Sequence, residues 1–285
     1  MNTQKNIIGV DLGGTNIRAG KVIKGEIAEV SRLATPSNGT EQQILDKVIE
    51  TIANCIDKNT QCIGIGVPSV VDVEKGIVYD VVNIPSWKEV HLKDILQEKF
   101  NIPVFVNNDS NCFAAGEKIY GKGKQYQHIV GMTLGTGLGL GLIINNQLFE
   151  GRNCGAGEFG MVPYLDSVFE TYCSGQFFSS VKKMDAIELH HKAEKGNKEA
   201  LTIFEEFGMH MGVAIKSILY AYDPEMIIVG GSLSSAFNLF KTTMYKEIET
   251  FAYRNTLKNL KIEVSEISDS AILGAAALHM GKLKV

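Results

Sequence analysis

One strand–turn–strand pattern occurs twice in this chain, and the repeat limits the folds open to it. Residues 7–27 read IIGVDLGGTNIRAGKVIKGEI and residues 129–149 read IVGMTLGTGLGLGLIINNQLF, aligned without a gap at a constant offset of 122 positions. Each copy has an apolar run, a glycine-rich break, a second apolar run and a polar turn. Glycine lacks a Cβ. A turn built on Gly13-Gly14, or on Gly135-Thr136-Gly137, therefore lets backbone N–H groups come close to a ligand. Two such hairpins imply two similar half-molecules, each offering a loop to the same phosphate chain.

The length agrees with that reading, since 285 residues fit two domains better than one core. A hydrophobic content of 45% and a charged content of 21% are ordinary for a soluble globular protein. The net charge of −4 gives no electrostatic reason to bind nucleic acid or an anionic membrane. No uncharged apolar run reaches the roughly 18 residues of a transmembrane helix. The start, MNTQKNIIGVDLGG, lacks the apolar core of a signal peptide, so a cytoplasmic protein is expected. Cys55, Cys62, Cys112, Cys154 and Cys173 form no CxC or CxxC pair, which reads as reduced, mostly buried thiols without zinc spacing.

The pattern of apolar residues predicts strands over 6–12, 16–23 and 26–34, then a helix over 41–57 with Ile44, Leu45, Val48, Ile49 and Ile52 on one face. A buried strand over 62–67 is stopped by Pro68, and a hairpin is expected around Glu74-Lys75-Gly76. A short helix over 91–99, a strand over 103–107 and a helix over about 110–120 follow. The second half repeats the theme with strands near 128–134, 138–144 and 147–150. A glycine-rich loop covers 151–160, and helices dominate to about 222. A strand at 227–229, a long helix over about 234–253, a strand near 261–265 and a helix at 270–281 complete the chain. Hairpins at one edge and helices between the later strands point to α/β architecture, with ligands at the strand ends.

Several residues carry chemistry in this pattern. Asp11 ends an apolar strand just before two glycines, where a carboxylate can hold a hydrated Mg²⁺ beside phosphates or simply bond its own turn. The second copy has Thr133 at that position, so the two loops are not equivalent. Asp109 follows the strand PVFVN and opens a helix. It reads either as a helix N-cap or as a general base that takes the proton of an alcohol during phosphoryl transfer. Asn83, Asn107, Asn108, Glu158 and Glu170 are polar groups at loops and element ends, suited to a hydroxyl-rich ligand such as a sugar. Gly230-Gly231 after the strand IIV could admit a flat adenine against the backbone.

Taken together, these segments resemble the ROK family (repressors, open reading frames, sugar kinases) of the actin-like/hexokinase ATPase superfamily, over essentially the whole chain. DLGGTN at 11–16 resembles its first phosphate motif, and LGTGLGLGLI at 134–143 its second. GVPS at 66–69 with Val71-Asp72 resembles its GxPGxVD loop, with Ser69 in place of a glycine. NIPSW at 83–87 resembles its NLPGW sugar loop. NNDSNCFAAGE at 107–117 is similar to its ENDANxAAxGE segment, and IIVGGSLS at 227–234 to its adenosine loop. One departure matters. Met161 stands where the family has a histidine, and its zinc-binding cysteine cluster is cut to a few residues, leaving VFETYCSG aligned with the end of that motif.

The resemblance implies two actin-like (ribonuclease H-like) α/β domains with mixed sheets flanking a central cleft: residues 1–110 plus 270–285 as the smaller, and 111–269 as the larger. It implies an ATP-dependent hexose kinase, glucose at the 6-hydroxyl being the default, with N-acetylhexosamine, fructose, mannose or allose as alternatives, or a non-catalytic sugar-binding protein. Asp109 is then the catalytic base. Asn83, Asn108, Asp109, Glu158 and Glu170 bind the sugar. Asp11, Gly13, Gly14, Thr15, Gly135, Thr136, Gly137, Gly230 and Gly231 bind ATP, and Asp11 holds Mg²⁺ through water. A homodimer is implied. Methionine is a poor zinc ligand, so no zinc is expected. The family's repressors carry a helix-turn-helix before DLGGT; ten residues precede Asp11 here, so no nucleic acid is expected.

Overall fold

A computed structural model describes residues 4–280 of the chain. It divides into two compact units, Met1–Gln127 with Gly141–Ala156 and Glu266–Val285, and His128–Leu140 with Gly157–Ser265.

In the first unit the opening repeat folds as its apolar runs and glycine turns predict. β1 (Asn6–Leu12), β2 (Asn16–Ile23) and β3 (Glu26–Ala34) form an antiparallel meander with the expected bounds. α1 (Glu41–Ala53) starts at a capping box, Thr40 and Gln43 each accepting the other's backbone N–H. It stops before the expected residue 57, because the chain turns at Asp57, whose Oδ1 accepts the Asn59 N–H at 2.8 Å. β4 (Thr60–Val67) lies parallel to β1. β5 (Val70–Asp72) and β6 (Ile77–Tyr79) make the hairpin expected around Gly76, and β7 (Glu89–Val90) extends it to a three-stranded sheet. α2 (Leu92–Phe100) leads to β8 (Val104–Asn108), parallel to β4, and α3 (Asp109–Ile119).

The second repeat gives β9 (Ile129–Leu134), β10 (Leu138–Ile144) and β11 (Gln147–Leu148). Then come the hairpin β12 (Pro163–Tyr164) and β13 (Ser167–Val168), and helices α4 (Phe169–Tyr172), α5 (Ala186–Glu194) and α6 (Lys198–Tyr222). β14 (Met226–Gly230), α7 (Phe237–Ile248), α8 (Arg254–Asn259), β15 (Lys261–Val264) and α9 (Ser270–Ala277) close the chain. The expected helix over 234–253 is thus shorter, and α8 is a separate element.

The two five-stranded sheets have orders β3-β2-β1-β4-β8 and β11-β10-β9-β14-β15. Each is a hairpin meander continued by two parallel crossover strands, so the sequence repeat is also a repeat of topology. This is a mixed α/β fold of two actin-like halves. In the first unit, Ile8, Val10, Ile63 and Ile65 of the sheet bury against Ile44, Val48 and Ile52 of α1. In the second, α6 lies against α7, and Gly208 permits the approach: a Cβ there would meet the Phe240 carbonyl oxygen at 2.4 Å.

α3 belongs to the first unit, where sequence reasoning had divided the chain at residues 110 and 111. The segment Gly141–Ala156 also returns to it. The physical reason is a close backbone contact between α3 and α9. A Cβ on Gly274 would stand 1.6 Å from the Cys112 carbonyl oxygen, and one on Gly116 would stand 2.2 Å from that of Ser270. Glycine at these positions lets the two helices meet, and the contact fixes α3 to the sheet beneath α9.

Candidate active site

Within the first unit, β1, β4 and β8 run parallel, so their carboxyl ends align. Asp11 lies opposite Gly66, Gly66 opposite Asn107, and Val67 opposite Asn108. This sheet end is where ligands sit in open α/β folds. The first glycine turn caps it. Gly13 N–H donates to the Asn16 carbonyl at 2.9 Å, and Thr35 clamps the turn from outside, its N–H on the Thr15 carbonyl at 3.0 Å and its Oγ1 on the Gly13 carbonyl at 2.7 Å. Neither Gly13 nor Gly14 is among the glycines with positive φ. Space is what matters at Gly14, where a Cβ would meet the Asn83 Cβ at 2.9 Å. The NIPSW loop and the first phosphate turn, singled out separately in the sequence, therefore touch. Asn83 itself remains exposed, as does Thr15.

The cap of α3 is Asn108, not Asp109. The Asn108 side chain accepts the N–H of Ser110 at 2.9 Å and of Asn111 at 3.2 Å, and its Nδ2 donates to the Ser69 carbonyl at 3.3 Å. Asp109 is the first helical residue and half-buried, and its Oδ1 also accepts the Ser110 N–H at 2.7 Å. It lies beside β4: a Cβ on Gly66 would be 3.4 Å from the Asp109 Cα. Burial pushes the Cys112 thiol well up from its ordinary value, and the charges of Asp109 and Asp11 push it further, so both carboxylates act on one point. That thiol stays protonated and inert at neutral pH.

Sequence reasoning missed Arg18. It faces Asp11 across the β1–β2 pair, and its Nη2 and Nε both reach Asp11 Oδ2, at 2.6 and 3.1 Å. Its Nη1 is ion-paired with Asp269. The hairpin register already held the signal, since opposite charges directly across a strand pair attract. Asp11 Oδ1 accepts no hydrogen bond from the described residues. One such oxygen beside a backbone turn fits Mg²⁺, which binds through one or two carboxylates, waters and substrate phosphates. Among the described residues, no three His, Cys, Asp or Glu side chains gather as a metal-binding group.

In the second unit the other glycine turn is held just as firmly. Gly135 N–H donates to the Gly137 carbonyl at 3.0 Å, Gly175 N–H to the Gly135 carbonyl at 2.8 Å, and Ser174 Oγ to the Thr136 carbonyl at 3.0 Å. Glu170 braces the turn as well. Its Oε2 accepts the Leu138 N–H at 3.0 Å, and its Oε1 accepts Gln176 Nε2 at 2.7 Å. Gly137 leaves room for that carboxylate, since a Cβ there would meet Oε2 at 2.5 Å. A Cβ on Gly135, by contrast, would find no atom nearer than Ser232 Oγ at 3.7 Å. Packing within the fold does not demand glycine at 135, and open space lies over the turn there. Gly230 pairs with Thr133, and Gly231 has φ +84° and lies over the Leu134 carbonyl, so the expected adenosine loop borders this turn.

The segment that departs from the resemblance is filled by rings. Tyr164 stacks on Phe169 at 4.5 Å between centroids, Phe169 on Phe159 at 5.1 Å, and Tyr164 Oη meets His210 Nδ1 at 3.0 Å. Met161 is 61% exposed and takes no part. Glu158, just before it, is exposed, yet surrounding atoms crowd its carboxyl. Burial, and then the charge of Glu170, push its pKa up from the ordinary value. A carboxyl whose pKa is higher folded than unfolded is penalised when ionised. The penalty is full above the folded value and absent below the unfolded one. Glu158→Gln is therefore expected to raise the thermal midpoint at about pH 7 and to leave it unchanged at about pH 3.5. Equal midpoints at both pH values would contradict the crowding.

Residues 7–282 match the ROK family. The chain belongs to the ROK family. Among its relatives is a glucokinase of Thermotoga maritima, 30% identical over 306 residues, covering 95% of this chain and 96% of that protein. A xylose repressor of Caldicellulosiruptor bescii is also 30% identical, over 315 residues that cover 96% of this chain and 77% of the repressor. Among solved structures, a ROK family glucokinase from Streptomyces griseus in complex with glucose and AMPPNP superposes with a TM-score of 0.85 at 28% identity. It covers 97% of this chain and 100% of that one. This ROK protein has, among the described residues, no helix long and apolar enough to cross a membrane.

Proposed function

We propose that this ROK protein is an ATP-dependent hexose kinase, with glucose the first substrate to test and its 6-hydroxyl the acceptor. The observation that carries the reading is the position of Asp109, the first residue of α3, directly after the parallel strand β8 and beside β4. Its neighbour Asn108 caps the helix, and Asp109 stands at the same sheet end as Asp11 and the first glycine turn. The likeness to a glucokinase holding glucose and AMPPNP supports it.

In the proposed reaction Asp109 accepts the proton of the sugar hydroxyl as that oxygen attacks the γ-phosphorus. The new O–P bond forms as the bridging P–O bond to the β-phosphate breaks, and ADP leaves with that electron pair. Backbone N–H groups of the turns at 13–15 and 135–137 offset the phosphate charge. Mg²⁺ carried with ATP would supply charge neutralisation beside Asp11. Asn83, Asn108 and Glu158 orient the sugar. Glu170 can share in this through its remaining lone pairs while holding the second turn. Gly230 and Gly231 border the adenosine.

A coupled assay of ATP, Mg²⁺ and a panel of hexoses tests the proposal. Glucose, or one of N-acetylhexosamine, fructose, mannose and allose, is expected to release ADP in step with sugar. The 30% identity to a xylose repressor supports a second reading, sugar binding without phosphoryl transfer. Saturable sugar binding with no ADP release on any sugar would favour it.

A further inference from the structure

Asn107 is 1% exposed and both ends of its amide are hydrogen-bonded. Its Oδ1 accepts the Asn108 N–H at 2.8 Å, Asn111 Nδ2 at 3.0 Å and Cys154 Sγ at 3.3 Å. Its Nδ2 donates to Glu150 Oε1. Glu150 is half-buried, two residues past β11, and its carbonyl accepts the Ala156 N–H at 3.2 Å. The backbone around Asp109 is thus gripped on both sides: amide 108 by Asn107, and amides 110 and 111 by Asn108.

An asparagine amide can present either end to a neighbour. An ionised carboxylate only accepts, so it forces Nδ2 towards itself and Oδ1 towards the N–H donors. It also polarises the amide and strengthens what Oδ1 accepts. We propose that Glu150 is a positioning residue for Asp109, acting through Asn107 to fix the start of α3. The role rests on the kinase reading above, because it serves the proton transfer assigned to Asp109. Small misplacement of a reacting group lowers turnover far more than binding.

The test uses the full chain and reads kcat and KM separately, with far-UV circular dichroism as a check on folding. Glu150→Ala is expected to lower kcat by about tenfold or more and to leave KM for sugar and ATP within about twofold. Glu150→Gln keeps an acceptor and is expected to stay within about threefold of wild type. Asn107→Asp sets two carboxylates face to face and is expected to fall like Glu150→Ala. Combining it with Glu150→Gln exchanges donor and acceptor, and is expected to recover about tenfold over Asn107→Asp alone. Should Glu150→Ala not fold, the Asn107→Asp pair carries the same test. Unchanged kcat in Glu150→Ala, or no recovery in the double variant, would overturn the role of Glu150 while wild type remains active. A wild type that transfers phosphate to no sugar would overturn the kinase reading itself, and this role with it.

Discussion

Asp109→Asn is expected to lower phosphoryl transfer to the sugar by about 10²–10⁴-fold, the range over which a positioned acid or base acts. Asparagine keeps the size and an oxygen for the Ser110 N–H, which Asp109 Oδ1 accepts at 2.7 Å, so local structure should persist. What is lost is the ability to take a proton. The loss should therefore fall on kcat, with KM for sugar and ATP changed by only a small factor. Steady-state kinetics with a thermal melt as control measures both. The assignment of the helix cap sharpens the test. Were Asp109 the cap, its substitution would act on stability first, but Asn108 holds the amides of Ser110 and Asn111. Turnover within a few-fold of wild type would remove Asp109 as the base.

Gly274→Ala should have the largest effect on stability. The added Cβ would lie 1.6 Å from the Cys112 carbonyl oxygen, a backbone atom that cannot swing aside. Relief requires α9 to lift from α3. Both helices are anchored, α9 by its approach to β4, where a Cβ on Gly64 would be 1.7 Å from the Ala275 carbonyl. Overpacking typically costs about 1–3 kcal/mol, and a backbone clash this deep belongs at or above the top of that range. Gly155→Ala is the matched control, because a Cβ there meets nothing within 4 Å. Urea denaturation should show a lowered midpoint for the first and a near-normal one for the second. A normal midpoint for Gly274→Ala would mean that the α3–α9 contact is looser than described. Because α3 begins at Asp109, the same variant should also lose activity.

Much of this was legible in the chain. Apolar runs broken at Gly13-Gly14 and Lys24-Gly25 marked three strands over 6–34, and the 122-position repeat reappeared as two sheets of like order. The hairpin register of Asp11 and Arg18 was readable too, although the arginine was passed over. What escaped lay in long-range geometry. The segment NNDSN offers several candidate caps, and the end of β8 at Asn108 decides among them. Glu170 braces the second turn through the Leu138 N–H, 32 residues away, which no local pattern announces. The β12–β13 hairpin contains Pro163 and no alternation; stacking of Tyr164 on Phe169 holds it instead. The glycine contact that places α3 with α9 joins Cys112 to Gly274, residues far apart in the chain, which no local pattern announces.

The most direct measurement is phosphorus NMR of the product made by the wild-type protein from ATP, Mg²⁺ and glucose. The account predicts a phosphomonoester on the 6-oxygen, formed in equal amount with ADP. ADP accompanied only by inorganic phosphate, or no ADP with any hexose tried, would contradict it.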